Sequence, residues 1–318
     1  MWADRAQACA EALQGWYRPR TGLWASTGWW NSANALSALI ACPARVEDRV
    51  VSRTFERAGR RHPGFTNRFF DDSAWWALAW IAAFDLTGSP RYLQTAEGAF
   101  AHLVTGWDQV FGGGLWWSME RSYKNAITNS LFLLTAARLH RRTGRAQYLE
   151  WATREWQWFA ASGMIGPSGL VNDGLNARGT NNGGTTWTYN QGVLAGALAE
   201  MSQITGEAAY ADVGAGIVDA TLANLTIDGV LTEPCKDCDG DQVQFKGIFM
   251  RNLLALAEVN PQPHYRSFVL ANASSLWERA RNNRCQFGLR WQGPFDRADA
   301  GRQGSALDAL NAAATVTG

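Results

Sequence analysis

The chain has 318 residues, 47% of them hydrophobic and 18% charged, with a formal net charge of +1. A charged fraction below the usual quarter excludes a disordered chain, and near-zero net charge excludes electrostatic steering toward nucleic acid or an anionic membrane. No apolar run approaches the roughly 18 residues of a membrane span, and no composition shift divides the chain, so residues 1–318 read as a single domain with no membrane span.

The first twelve residues lack a basic segment followed by an apolar one, so no signal peptide is expected there. An extracellular or cell-envelope location then requires a leader ahead of this chain; otherwise it reads as cytoplasmic. Helical periodicity begins at once, over residues 3–17, and returns over 30–40 and 46–61. Leading into and along the last of these, Arg45, Arg49, Arg53 and Arg57 recur every four residues beside Glu47, Asp48 and Glu56, the pattern of a solvated outer face. From residue 72 onward a unit repeats at intervals of roughly 53 to 61 residues: helix, short turn, helix, long loop. Its first helices fall at 72–84, 124–139, 190–204, 246–259 and 305–316. Three of them stop at the same punctuation, Leu86-Thr87-Gly88, Arg142-Thr143-Gly144 and Ile204-Thr205-Gly206, where glycine suits a left-handed cap. Second helices open on an aromatic residue, at 92–104, 148–161, 210–225 and 265–281. Twelve helices in six hairpins, with 3–17 pairing the last to close the ring, predict an all-α (α/α)6 toroid without strands.

The long loops, 106–119, 163–188 and 226–243, are rich in Gly, Asn and Trp, and loops of such length in a compact domain are usually functional. The third carries Cys235 and Cys238, a lone CxxC among five cysteines, best read as a loop-bracing disulfide over free thiols or half a metal site. No metal or cofactor is expected. Tryptophan, with 17 copies, poses a choice: the rings fill a core or line a groove. Within helices, as at Trp80, Trp151, Trp156 and Trp158, packing is favoured; the loop rings Trp24, Trp29, Trp30, Trp107, Trp116, Trp117 and Trp187 suit a groove, because sugar rings stack their apolar faces on aromatic planes.

In a toroid the N-termini of the inner helices gather at one end, and the residues there are strongly non-random. Asp71 and Asp72 open one helix, flanked by Phe69, Phe70, Trp75 and Trp76. One aspartate is explained by capping and the helix dipole; a second beside it is not. Neighbouring carboxyls on one turn can lie roughly 5–6 Å apart, close to the spacing of retaining glycoside hydrolysis, whereas inversion needs a wider gap. Only Lys124, Lys236 and Lys246 break the arginine bias among 29 basic residues, and two of them stand at equivalent helix entries, which suggests a geometry that guanidinium does not fit. An epimerase would need a well-placed histidine, and none of His62, His102, His140 and His264 opens an inner helix.

Phe70-Asp71-Asp72-Ser73-Ala74-Trp75-Trp76-Ala77-Leu78, Gly112-Gly113-Gly114-Leu115-Trp116-Trp117 and Tyr123-Lys124-Asn125-Ala126-Ile127-Thr128-Asn129 resemble glycoside hydrolase family 76, the endo-α-1,6-mannanases. Thr188-Tyr189-Asn190-Gln191-Gly192 and Phe245-Lys246-Gly247-Ile248-Phe249 continue that resemblance in the family's order. It implies hydrolysis of α-1,6-mannan backbones with retention, Asp71 as nucleophile and Asp72 as general acid/base, with the Asp72 pKa raised by its ionised neighbour and partial burial. Substrate contacts are drawn from Asn67, Trp76, Lys124, Asn125, Asp173, Tyr189, Asn190, Gln191, Asp241, Gln244, Phe245 and Lys246. The partner is a mannan or manno-oligosaccharide, bound by a monomer. Cell-wall transglycosylation is the competing activity, disfavoured by the lack of an anchor signal. A non-catalytic mannan-binding relative would not need both aspartates.

Overall fold

Helix α2 (Trp29–Ile40) packs on α4 (Phe70–Thr87), α4 on α6 (Ala126–Thr143) and α6 on α8 (Thr188–Thr205) in a computed structural model that describes residues 1–42, 48–235 and 238–318. The sequence continues through α10 (Phe245–Val259) and α12 (Ala300–Thr315), which returns to α2 and closes the ring. Outside it stand α1 (Trp2–Gln14) against α12, α3 (Asp48–Ala58), α5 (Pro90–Val104) against α4, α7 (Ala146–Ala161) against α6, α9 (Ala208–Asn224) against α8, and α11 (Pro263–Arg279) against α12. This is the (α/α)6 toroid. Inner helices are buried on almost every side, which is why their sequences are Ala- and Leu-rich all round, whereas the outer ones bury a single stripe. The Arg stripe lies as expected where it is described, with Arg49, Arg53 and Arg57 exposed on α3; Arg45 lies outside the described residues.

The turn glycines Gly88, Gly144 and Gly206 all adopt left-handed φ of 66–76° and cap α4, α6 and α8. The aromatic residues that open the outer helices are anchors: Tyr92 stacks on Trp80 of α4 with centroids 5.5 Å apart, and Tyr148 meets Phe100 edge-on at 5.4 Å. One large apolar core runs from Trp2 to Val316, with a small satellite of Cys238, Val243 and Leu289 beside the disulfide. Two minimal hairpins were not expected, β1 (Tyr17–Arg18) with β2 (Leu23–Trp24) and β3 (Thr226–Ile227) with β4 (Val230–Leu231). The second turns on Asp228-Gly229, both at positive φ, the signature of a tight hairpin turn hidden inside a segment too short to show alternation. The disulfide Cys235–Cys238 forms, bracing the third long loop; Lys236 lies outside the described residues. No helix among the described residues is long and apolar enough to cross a membrane.

Candidate active site

Asp71 and Asp72 occupy the first turn of α4, whose start is fixed from outside when Phe70 N–H donates to the Trp117 carbonyl at 2.9 Å. Both side chains are partly buried, and their environments differ. Asp71 has two donors on two oxygens: the Asp72 backbone N–H on Oδ1 and the Trp117 indole Nε1 on Oδ2, each at 3.0 Å. Asp72 receives one, from Asn67 Nδ2 to Oδ2 at 2.7 Å. Asn67 is itself held, its Oδ1 accepting Phe69 N–H at 2.8 Å and its carbonyl lying 3.1 Å from His102 Nε2.

Burial pushes both carboxyls upward. Asp72 rises from 3.8 to about 6, through desolvation first and then the charge of Asp241, against the opposing bond from Asn67. Asp71 is also raised, by burial and by the adjacent charge of Asp72, against its two donors. A pair so coupled holds one proton between two sites over a wide pH range. Both oxygens of Asp71 already accept N–H bonds, whereas Asp72 has one oxygen so engaged. Geometry therefore favours the ionised form at Asp71 and the proton on Asp72. Burial supplies the larger part of the push on Asp72, and the charge that adds to it is that of Asp241, 169 residues onward, a partner that local sequence did not offer.

The pair stands in a cleft of about 480 Å³ at the end of the ring where the inner N-termini and long loops meet. Of the substrate contacts expected from sequence, Asn125, Asp173, Tyr189, Asp241 and Phe245 line it, together with both aspartates. Tyr189 and Phe245 stack at 3.6 Å and 11°, a flat aromatic wall contributed by α8 and α10. Asp173 accepts the Tyr123 hydroxyl at 2.5 Å, and Asp241 accepts the Trp30 indole at 2.9 Å. Asn125 caps α6, its side-chain oxygen accepting the Thr128 N–H at 3.2 Å. Asn67 does not line the cleft and acts through Asp72.

Six expected contacts are corrected. Trp76 is wholly buried and stacks on Trp80 at 5.5 Å; one residue is a 100° step on a helix, so its neighbour Trp75 takes the cleft face instead. Lys124 has no exposure and points away from the cleft, its ammonium donating to Asp108 Oδ1 at 2.9 Å and to the Val110 and Gly113 carbonyls, each at 2.7 Å. Asn190 is fully buried in α8. Gln191 braces the second long loop by bonding both the N–H and carbonyl of Val171. Gln244 is tied to Asn31, linking α10 to α2. Lys246 donates to the Leu289 carbonyl at 2.7 Å and faces a separate cavity beside Glu233 and the disulfide.

The tryptophans divide differently from the expected loop-versus-helix rule. Trp30, Trp75 and Trp117 line the cleft, although Trp75 lies in α4 and Trp30, expected in a loop, lies in the first turn of α2. The loop rings Trp24 and Trp116 are buried, Trp29 stacks on His62, and Trp107 bonds buried Glu155. Phe69 and Tyr123 also line the cleft. Trp117 takes the groove position expected of it, whereas Phe69 and Tyr123 were not among the expected contacts; the signal for Tyr123 is its place directly before the entry to α6.

A cleft of stacked aromatic planes, with one carboxylate held for attack and a neighbour disposed to keep a proton, suits glycoside chemistry. The sequence profile described as glycosyl hydrolase family 76 matches residues 1–317. The chain belongs to glycosyl hydrolase family 76. Among family members, it is 31% identical over 213 aligned residues to the mannan endo-1,6-alpha-mannosidase DCW1 of Eremothecium gossypii, covering 60% of this chain and 47% of that one. This chain thus spans about half the length of that curated relative. The GH76A alpha-1,6-mannanase of Salegentibacter sp. HEL1_6 is similar throughout, with a TM-score of 0.91 at 27% identity, covering 99% of this chain and 100% of that one. An inactive variant of that enzyme, with two consecutive aspartates replaced by alanine, was solved in complex with alpha-1,6-mannotetrose; it is 26% identical, with a TM-score of 0.91, and covers 99% of each chain.

Proposed function

We propose that this chain hydrolyses α-1,6-mannosidic linkages of a mannan backbone with retention, using Asp71 as nucleophile and Asp72 as general acid/base. The observation that carries this is the unequal support of two adjacent carboxyls at the floor of an aromatic cleft. The ionised Asp71 attacks the anomeric carbon as Asp72 gives its proton to the departing glycosidic oxygen, leaving a mannosyl ester on Asp71. Asp72, now a carboxylate, takes a proton from water, which attacks the same carbon and releases Asp71 and the sugar. Trp117 keeps its indole on Asp71 through both steps, and Asn67 orients Asp72. The Tyr189–Phe245 wall, continued by Trp30 beside Phe245 and by Trp75 stacked on Trp30, offers planes for sugar rings, while Asp173, Asp241 and Asn125 address hydroxyls. No Lys, Arg or His lines the cleft among the described residues, which suits a neutral, hydroxyl-rich substrate. Polymeric mannan does not cross membranes, so the protein acts on it outside the cytoplasm or in the cell envelope, as a monomer.

The test is cleavage of α-1,6-mannotetraose followed by NMR. The first-formed reducing end should be the α anomer, and a β product would instead mean inversion. Asp71→Asn and Asp72→Asn should each lower kcat by about 10³-fold or more while oligosaccharide binding persists. Activity near the wild-type level in either variant sinks the assignment.

A further inference from the structure

The loop between α5 and α6 must deliver one indole N–H to one oxygen of Asp71, yet its backbone is far from relaxed. Phe111 and Arg121 sit at positive φ, 58° and 52°, a region that residues other than glycine rarely occupy. Such a path persists only where its surroundings impose it. The imposing group is Lys124. An ammonium has three protons in tetrahedral array, and here three oxygens of the 108–113 segment lie within 2.9 Å of it, Asp108 Oδ1, Val110 O and Gly113 O, with the Asp108 carbonyl farther off at 3.4 Å. Asp108 uses its other oxygen to accept the Trp116 indole at 2.7 Å. Buried Glu155, whose carboxyl burial pushes up to about 8, lies in the field of Lys124 and accepts the Trp107 indole at 2.8 Å. The next residue after Trp116 is Trp117, whose own indole reaches Asp71.

We propose that Lys124 is a positioning residue for the reaction: it gathers Asp108, Val110 and Gly113 around its ammonium and so fixes the loop that holds the Trp117 indole on Asp71. This rests on Asp71 being the nucleophile. A planar guanidinium cannot direct three protons at three convergent oxygens, which accounts for lysine in a chain that otherwise uses arginine. The titratable groups that share the cleft with Asp71 are Asp72 on its own helix and Tyr123, Asp173, Tyr189 and Asp241 on other elements, and the acceptors of the Lys124 ammonium belong to none of them.

The experiment measures kcat and KM against pH on α-1,6-mannotetraose for Trp117→Phe, Lys124→Met, Lys124→Arg and the Trp117→Phe/Lys124→Met double variant. It also follows the indole ¹⁵N–¹H resonance of Trp117. Trp117→Phe should lower kcat about 10- to 100-fold and move the acidic limb of the profile to higher pH, because an N–H that favours the carboxylate is gone. Both Lys124 variants should move kcat and the acidic limb in the same direction with KM little changed. They should also shift or broaden the Trp117 indole resonance, and the double variant should be no more than about threefold worse than Trp117→Phe. A Lys124 variant with wild-type kcat and acidic limb overturns the proposal, as does a double variant that loses the product of the two single effects. If Lys124→Met does not fold, Asp108→Asn removes the charge partner and keeps an acceptor, and the same criteria apply. A wild-type protein that leaves the tetraose intact removes the nucleophile assignment, whereas an unmoved indole resonance removes the hold of Lys124 on the loop.

Discussion

At the scale of single residues, the molecule keeps two carboxyls where water is scarce, and that has consequences for both activity and stability. The proposed roles need Asp71 ionised and Asp72 protonated, so kcat/KM should be bell-shaped in pH and should decline as Asp72 deprotonates at about 6. A profile still flat at pH 8 would contradict the assigned roles. The stability effect has the opposite owner. Asp72 binds its proton more tightly folded than unfolded, so its contribution is favourable at low pH, shrinks as pH rises from about 4 to about 6, and stays at its least favourable value above that. Asp72→Asn cannot ionise and should therefore be more stable than wild type above pH 6, by about 1–3 kcal/mol, or about 2–4 °C in Tm, with the gap closing at pH 4. Calorimetry at the two pH values checks it. A functional pair that costs stability is the expected signature of a site placed for chemistry.

At the scale of elements, the inner ring owes its tightness to glycines on facing helices. A Cβ on Gly247 of α10 would lie 2.5 Å from Ser305 Cα of α12, and one on Gly192 of α8 would lie 2.5 Å from Phe249 Cα of α10. Both obstacles are backbone, so the helices themselves would have to separate. Gly192→Ala and Gly247→Ala should each cost about 1–3 kcal/mol in urea unfolding. Because both glycines lie within four residues of the Tyr189–Phe245 wall, they should also raise KM. Unchanged urea midpoints would mean the interface yields without loss. The helices, their left-handed caps and the aromatic openings of the outer helices were all legible, since each rests on local periodicity or a single residue's conformational preference. The two minimal hairpins were not, because two-residue strands carry no alternation to read.

Across the whole molecule, the ring is closed by polar contacts between distant parts of the chain. Gln303 of α12 donates to the Cys9 and Cys285 carbonyls, each at 3.0 Å, and accepts Phe287 N–H at 3.1 Å, while Asn311 donates to the Ala38 carbonyl at 2.9 Å. Gln303→Leu would leave the buried Phe287 N–H without its acceptor and remove donors from the Cys9 and Cys285 carbonyls, and should destabilise the protein by about 1–3 kcal/mol. With one large core, near- and far-ultraviolet circular dichroism should still lose signal together. Separate transitions would show that the ring opens in parts. Sequence alone determined the toroid, the end of it that carries chemistry, and the aspartate pair, because helical period, caps and a two-residue motif are local properties of the chain. Tertiary structure decided which neighbours face the cleft. Trp75 rather than Trp76 turns inward, Lys124 and Lys246 turn away to backbone carbonyls, and Asp241 crosses the ring to act on Asp72. Each of those outcomes depends on the angle at which one helix or loop meets another, a quantity that no single segment of sequence contains.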